Sequence, residues 1–195
     1  TVRCGVFCKE CALRFSEKIS FTNDYRIAVN DLNALIITPG VEQIRLNPDK
    51  IRPEVRKLFG RSLKLRQVSA GGDNATEMEL NACGNVNFDM GRYGMEFVAS
   101  PRHADGIVIT GPISKHMAQA LETCYAAIPE PKIVVLAGTE AISGGLFSES
   151  SEVERSFLSN YPIDLYVPGN PSHPLSVING LLDLINRDGL TRGAK

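Results

Sequence analysis

The stretch Pro129-Glu130-Pro131-Lys132-Ile133-Val134-Val135-Leu136-Ala137-Gly138 gives the clearest indication of the fold. Two prolines end a helical pattern, a run of apolar and mostly β-branched residues follows, and a glycine closes the run. A continuous apolar run of this length is typical of a strand that is buried on both faces of a parallel sheet. Residues 107–109 repeat the pattern with Ile-Val-Ile and lead to Gly111-Pro112. Both runs therefore predict buried strands.

Strand and helix patterns alternate on either side of these two runs. Further strands are predicted at 63–68, 94–98 and 163–167, helices at 74–90, 114–127 and 175–186, and two short strands at 18–22 and 34–38. Strands that alternate with helices imply right-handed crossovers and a mostly parallel sheet with helices on both faces. We therefore expect an α/β fold with its functional crevice outside the carboxyl ends of the strands, where four loops meet: 71–76, 111–114, 138–145 and 168–174.

Composition excludes several classes of function. The chain has 195 residues, with 21 Lys and Arg against 22 Asp and Glu and a formal net charge of −1. This balance argues against a nucleic-acid partner held by phosphate neutralisation. No run approaches the roughly 18 apolar residues that a membrane-spanning helix needs, and the first residues do not read as a signal peptide. We expect a cytoplasmic chain that contacts a membrane only through partners.

The cysteines are concentrated at the start of the chain. Cys4, Cys8 and Cys11 are three of the five. An odd and clustered set predicts metal ligands or their remnants rather than an extracellular disulfide framework. A reducing compartment fits this usage.

No motif outside this cluster specifies a reaction. The segment Gly71-Gly72-Asp73-Asn74-Ala75-Thr76 follows a strand and opens a helix, but it lacks the Walker lysine and the dinucleotide glycine spacing. Asp73 or Asn74 is instead predicted to cap the helix. The three histidines have no metal-ligand spacing, and no nucleophile elbow of the Gly-x-Ser-x-Gly type is found.

Five sequence blocks, taken in their order, carry a resemblance to a known family. They are 77–82, 92–105, 109–112, 129–132 with Gly138 and Gly144-Gly145, and 164–169 with Pro171. Together they resemble the small electron-transferring subunit shared by membrane-bound nickel–iron hydrogenases and respiratory complex I, the 20-kDa or B-type subunit. The resemblance covers residues 66–187. It implies a flavodoxin-like α/β fold, one four-iron cluster at the carboxyl edge of the strands, and electron transfer with a large-subunit partner.

The positions that hold the cluster in this family carry other residues here. Hydrogenase-type members use a Cys-x-x-Cys in the first loop, a cysteine two residues after the glycine of the third loop, and a cysteine after Pro-Gly in the last loop. In this chain those positions are Asp73, Thr76, Glu140 and Asn170. The adjacent-cysteine variant of complex I meets Asp73 and Asn74. Because iron–sulfur clusters are held by soft thiolates, we expect no cluster in this domain.

Residues 1–45 resemble the last part of a bacterial-type ferredoxin module. Its pattern of four cysteines meets Gly5, Cys8, Cys11 and Phe15, so two of the four remain. Degenerate, metal-free cysteines are the favoured interpretation. The alternative is zinc or an incomplete iron–sulfur cluster at Cys4, Cys8 and Cys11. The module looks truncated upstream, and the sequence does not decide whether further residues, with further cysteines, precede Thr1.

The chain divides into four predicted segments: a degenerate ferredoxin-like segment at 1–45, a basic linker at 46–65, the domain that resembles the hydrogenase small subunit and its complex I counterpart at 66–187, and a tail at 188–195. The favoured hypothesis is a cluster-less paralogue that acts as a structural or assembly subunit of a membrane-associated redox complex, with no independent catalytic activity. Its partner would be a hydrogenase large-subunit-like or complex I-like protein on the inner face of the membrane. The resemblance implies that Arg92, Tyr93, Arg102 and His103 lie on the partner surface.

Two other hypotheses remain open. The first is an electron-transfer subunit of a hydrogenase-like or NADH-quinone-oxidoreductase-like complex that uses the N-terminal cysteines. The second is a new site in the old cluster pocket. Asp73, Thr76, Glu140 and Asn170 are all oxygen donors, and Mg²⁺ or Ca²⁺ prefers such ligands. A small ligand is the other candidate for this pocket.

Overall fold

The computed structural model describes residues 10–18, 24–37 and 44–185. Cys4 and Cys8, most of the strand predicted at 18–22, and the tail at 188–195 lie outside the described residues. What the sequence implies for them stays a prediction.

A five-stranded parallel sheet forms the centre of the molecule. Its strand order is β2-β1-β3-β4-β5, and every neighbouring pair is parallel. The predicted α/β fold is confirmed. The strands are β1 (Leu63–Ser69), β2 (Met95–Phe97), β3 (Gly106–Thr110), β4 (Ile133–Ala137) and β5 (Leu165–Val167).

Seven α-helices precede, connect or follow the strands in the described part of the chain. They are α1 (Glu10–Arg14), α2 (Pro53–Phe59), α3 (Ala75–Ala82), α4 (Lys115–Ala126), α5 (Thr139–Ser143), α6 (Ser156–Asn160) and α7 (Pro174–Leu184). Short 3-10 helices lie at Leu32–Leu35, Pro48–Lys50, Met90–Tyr93, Pro101–His103 and Gly145–Phe147. Within the described ranges, no helix has both the length and the apolar character needed to cross a membrane.

The two faces of the sheet bury separate apolar clusters. One joins Leu63 and Leu65 of β1 to α3 and to Ile178 and Leu181 of α7. The other joins Ile107 of β3 to α4 and α6 on the opposite face. All five residues of β3 and all five of β4 are buried. This agrees with the double-sided burial that their continuous apolar runs predict.

Two predicted elements are wrong. The helix expected at 74–90 ends at Ala82, because Gly84 and Asn85 lead into a turn in which Met90 N donates back to Cys83 O at 2.9 Å. The first two residues of the strand expected at 34–38 lie instead in the 3-10 helix Leu32–Leu35. There the side chain of Asp31 accepts a hydrogen bond from Asn33 N, which stabilises a turn rather than an extended chain.

The segment predicted as a basic linker contributes to the core. Val55 and Phe59 of α2 are buried in the same cluster as Leu63. Arg52 forms two hydrogen bonds of 3.0 Å with the carboxylate of Asp164, which precedes β5. Residues 48–59 are therefore packed against the sheet rather than extended away from it.

Candidate functional site

Four loops meet at the carboxyl edge of the sheet, where the sequence predicts the functional crevice. The first and second loops touch at Gly72 and Gly111, where a Cβ on Gly72 would lie 2.9 Å from Gly111 Cα. A Cβ on Gly138 in the third loop would lie 2.6 Å from Thr76 Oγ1. Thr139 binds the last loop, since its N–H and Oγ1 donate to Gly169 O at 2.7 and 3.0 Å. Glycine backbones allow this close approach.

Asp73 and Asn74 form the turn that begins α3. Asn74 has a left-handed backbone with φ of 67° and occupies the cap position. The Asp73 carboxylate accepts a hydrogen bond from Ala75 N at 2.9 Å. Asn74 thus occupies the cap position without a capping side-chain hydrogen bond, and the side-chain oxygen at this turn comes from Asp73, the residue before it. Its carboxylate is therefore held at the first turn of α3, beside the loop edge.

Glu140 is the side chain that reaches from the third loop to the first. Its Oε2 lies 2.7 Å from the position of a Cβ on Gly72. Burial, followed by the negative charge of Asp73, raises the pKa of Glu140, while the backbone amide of Asp73 opposes this shift. The carboxylates of Asp73 and Glu140, which come from different loops, therefore lie near each other at the carboxyl edge of the sheet.

Thr76 and Asn170 complete the four predicted positions. Thr76 is buried, and its hydroxyl lies against the backbone of Gly138. Asn170 is half-buried and follows Gly169, whose carbonyl binds the third loop. The structure therefore brings Asp73, Thr76 and Glu140 to one edge and places Asn170 on the loop that is bonded to it.

Beneath these loops lies a buried carboxylate that the sequence analysis did not single out. Glu77 is only 5% exposed. Its Oε1 accepts hydrogen bonds from Ser69 Oγ at 2.5 Å and Thr110 Oγ1 at 2.7 Å. These bonds connect α3 to the ends of β1 and β3, and so fix the first loop on the sheet. In the sequence, the only indication of this contact is an acidic side chain directly after Thr76, in the first turn of the predicted helix.

Arg155 holds the third loop from the other side and was also missed. Its guanidinium donates to the carbonyls of Ala141 and Ile142 at 2.9 and 2.8 Å, and more weakly to those of Pro112 and Glu140. Burial lowers its pKa. By satisfying carbonyls at the end of α5, Arg155 positions the short helix that carries Glu140. No local sequence pattern predicts this contact, since Arg155 lies well beyond the end of α5 in the chain.

The donor set at this edge does not fit an iron–sulfur cluster. Carboxylate, hydroxyl and amide oxygens replace the thiolates that clusters require. Cys83, at the end of α3, is buried, and its thiol lies near Glu79 O and Pro174 O. Burial raises the pKa of Cys83 to about 12, which disfavours a thiolate. Across the described residues, no group of three or more His, Cys, Asp and Glu side chains could hold a metal ion.

The four residues implied to form a partner surface flank β2. Arg92 is exposed and pairs with Asp89 at 3.0 Å, while Tyr93 is half-buried against the core. Arg102 and His103 are exposed in the 3-10 helix that follows β2. Accessibility of three of the four is consistent with a contact surface, and their role stays a prediction.

The strand order and the loop edge together define the class of protein. A parallel sheet ordered 2-1-3-4-5 with helices on both faces is the flavodoxin-like arrangement, and its ligand sites lie at the carboxyl edge. Residues 74–184 match the family described as NADH ubiquinone oxidoreductase, 20 Kd subunit. The chain belongs to this family, whose members normally bind an iron–sulfur cluster.

Comparison with individual relatives supports the assignment of the chain to this family. The chain is 32% identical over 146 residues to a probable membrane-bound hydrogenase subunit of Pyrococcus furiosus, and the alignment covers 75% of this chain and 86% of the relative. It is 38% identical over 117 residues to the B-type subunit of the NADH-quinone oxidoreductase of Geotalea daltonii, with coverage of 60% and 68%.

A solved structure shows the same relationship. A chain of the membrane-bound sulfane sulfur reductase, an archaeal respiratory membrane complex, aligns with a TM-score of 0.58 at 25% identity. The alignment covers 69% of this chain and 75% of that one. The resemblance predicted from the five sequence blocks is therefore confirmed.

Proposed function

We propose that this chain is a cluster-less member of the family that serves as a structural or assembly subunit of a membrane-associated redox complex. The observation that carries the proposal is the replacement of all four ligand positions by Asp73, Thr76, Glu140 and Asn170. Electron transfer through a subunit of this kind needs a redox centre within it. Without thiolates, these loops supply no ligand for that centre.

The arrangement of the loops supports the proposal. Glu140 reaches toward Gly72, and Thr76 lies against Gly138, so side chains from opposite loops occupy the space between them. The buried network of Glu77 and the carbonyl contacts of Arg155 fix the same loops. Loops that are fixed by contacts of this kind are compatible with a subunit whose role is to be bound rather than to pass electrons.

The proposed partners are the other subunits of a hydrogenase-like or complex I-like assembly. The relatives named above are subunits of such complexes. The surface formed by Arg92, Tyr93, Arg102 and His103 would contact a large-subunit-like partner, and the chain would lie peripherally at the inner face of the membrane through that contact.

Anaerobic purification with iron and acid-labile sulfide quantification tests the cluster-less state. We expect no stoichiometric iron and no sulfur-to-iron charge-transfer absorption, before or after chemical reconstitution. A brown protein with iron in stoichiometric amount would contradict the proposal. Size-exclusion chromatography with a candidate large subunit then tests assembly, with Arg102→Glu as the surface variant and Glu149→Gln as an exposed control.

The N-terminal cysteines support a second candidate function, electron transfer through the ferredoxin-like segment. Cys11 is a free and exposed thiol, as a cluster or zinc ligand would be before loading. Under this alternative the purified chain carries iron or zinc that Cys11→Ser removes, while Cys83→Ser leaves it in place. Metal analysis of these two variants separates this candidate from a cluster in the 66–187 domain.

The two facing carboxylates favour a third candidate, a hard-cation or small-ligand site in the old pocket. Burial, followed by the charge of Asp73, raises the pKa of Glu140, and a bound cation would relieve the repulsion between the two carboxylates. Millimolar Mg²⁺ or Ca²⁺ would then raise the thermal midpoint of the wild type but not of Glu140→Gln. The absence of any shift would remove this candidate.

A further inference from the structure

Arg66 is a half-buried cation that has no partner in the described part of the molecule. It lies in β1, opposite Ile107 of β3. Its Nε is buried and meets no hydrogen-bond acceptor, and no ion pair involving Arg66 is found among the described residues. By contrast, Lys64 on the same strand pairs with Glu96 at 3.1 Å. A buried guanidinium donor without an acceptor is costly, and an oxyanion beside the guanidinium would relieve that cost.

The local fold opens space on both sides of Arg66. Strand β2 pairs with β1 only as far as Leu65 and Phe97, so Arg66 is the first residue beyond that pairing. A depression of about 440 Å³ lies here, lined by Arg66, Gln67, Ser69 and residues 97–99. A second depression of about 570 Å³ lies between Arg66 and α4. Arg66 lines both of them.

The walls of the second depression favour a small anionic molecule. They include His116, Gln119 and Thr123, which carry polar groups, and Ala120 and Ala127, which are apolar. No Asp or Glu lines either depression in the described part of the chain. His116, Gln119, Ala120 and Thr123 are exposed, so the depression is open to solvent, and it combines an apolar wall with a few polar groups as small-molecule sites do.

We propose that Arg66 is the base of a binding site for the oxyanion of a small molecule, a phosphate or carboxylate group. The planar guanidinium binds such a group through two parallel N–H donors. His116 and Gln119 lie at the rim and supply further donors, and the apolar wall of α4 contacts the rest of the molecule. The second depression contains no residue of the four loops at the edge that carries Glu140, and the proposal does not depend on the chain lacking a cluster.

Phosphate is the probe that tests the site on the purified full chain. The thermal midpoint is followed with increasing sodium phosphate, against sodium chloride at matched ionic strength, and calorimetric titration gives the dissociation constant. Because a ligand that binds only the folded state stabilises it, phosphate is expected to raise the midpoint of the wild type. We expect no rise in Arg66→Gln.

Two further variants keep the test informative if Arg66→Gln folds poorly. Arg66→Lys retains the charge but loses the paired donors, so its dissociation constant is expected to be about tenfold weaker. His116→Gln, on the exposed rim, is expected to weaken binding by a smaller factor. Arg61→Gln is the matched control, since Arg61 is exposed, lies in the bend before β1 and lines neither depression. This control is expected to respond as the wild type does.

The outcomes distinguish the sources of the anion. No phosphate response in the wild type up to tens of millimolar, together with no Arg66-dependent vesicle binding, overturns the proposal. An equal phosphate response in Arg66→Gln also overturns it. Sedimentation with phosphatidylcholine vesicles, with and without phosphatidic acid, tests a lipid headgroup. Binding that requires both phosphatidic acid and Arg66 supports the site with lipid phosphate as the source, whereas vesicle binding that is unchanged in Arg66→Gln contradicts that source.

Discussion

The carboxylate of Glu140 lies against the backbone of Gly72, so that a Cβ at position 72 would approach its Oε2 to 2.7 Å. The same Cβ would lie 2.9 Å from Gly111 Cα. The loops that follow β1, β3 and β4 therefore touch one another at this point. The loops at this edge are therefore closely packed around Gly72, Gly111 and Glu140.

Gly72→Ala is expected to destabilise the fold by about 1–3 kcal/mol, as overpacking of a close contact does. Glu140 can rotate away from a new methyl group, but the backbone of Gly111 cannot. Urea unfolding measures the change. Gly91→Ala is the control, because its Cβ would meet only Asp89 Oδ1 at 3.9 Å. Equal stability of Gly72→Ala and the wild type would show that the loops are not in contact.

Glu140→Gln is expected to change the pH dependence of stability. Burial and the charge of Asp73 raise the pKa of Glu140 above its ordinary value of 4.5. The folded state thus binds the proton more tightly than the unfolded chain does, and the free energy of unfolding falls as pH rises from 4.5 through the raised pKa. The glutamine variant lacks this loss, so its stability relative to the wild type is expected to increase with pH in that window.

Urea unfolding at several pH values between about 4 and 8 checks this expectation, with Glu149→Gln as an exposed control. A difference between Glu140→Gln and the wild type that stays constant with pH would contradict it.

Restoring the four cysteines is expected to restore cluster binding. The quadruple variant Asp73→Cys, Thr76→Cys, Glu140→Cys and Asn170→Cys places thiolates at all four family positions. If the loops keep the family arrangement, anaerobic reconstitution gives a four-iron cluster with visible charge-transfer absorption, while the wild type treated in parallel does not. A triple variant that keeps Asn170 is the control, with a less stable cluster expected. A colourless quadruple variant that is folded would show that the loop geometry has also diverged.

Arg52→Ala is expected to destabilise the fold by about 1–3 kcal/mol, because it leaves a largely buried carboxylate with the backbone N–H of Val134 but without its cation. The side chain of Asp164 is only 9% exposed and pairs with Arg52 at 3.0 Å. Arg26→Ala is the matched control, since its pair with Asp24 is exposed and is expected to contribute less than about 1 kcal/mol. Denaturant unfolding compares the two. Similar small effects would mean that residues 48–59 are not an integral part of the domain.

The sequence alone determined the sheet and the family. The continuous apolar runs at 107–109 and 133–137 predict strands that are buried on both faces, and the structure places them in the fully buried strands β3 and β4. The four positions predicted to correspond to the family's cluster ligands came from the resemblance, which places each of them in a loop after a strand, and their assignment stays a prediction. Helix ends were less predictable, as the early end of α3 at Ala82 shows.

Only the tertiary structure decided which side chains act on one another. Arg155 binds the carbonyls of α5, Arg52 binds Asp164, and Arg66 meets no carboxylate among the described residues. These relationships join residues that are far apart in the chain or depend on what neighbouring elements leave uncovered. Local sequence patterns fix the backbone state of a segment, whereas the partner of a charged side chain is fixed by the packing of the whole fold.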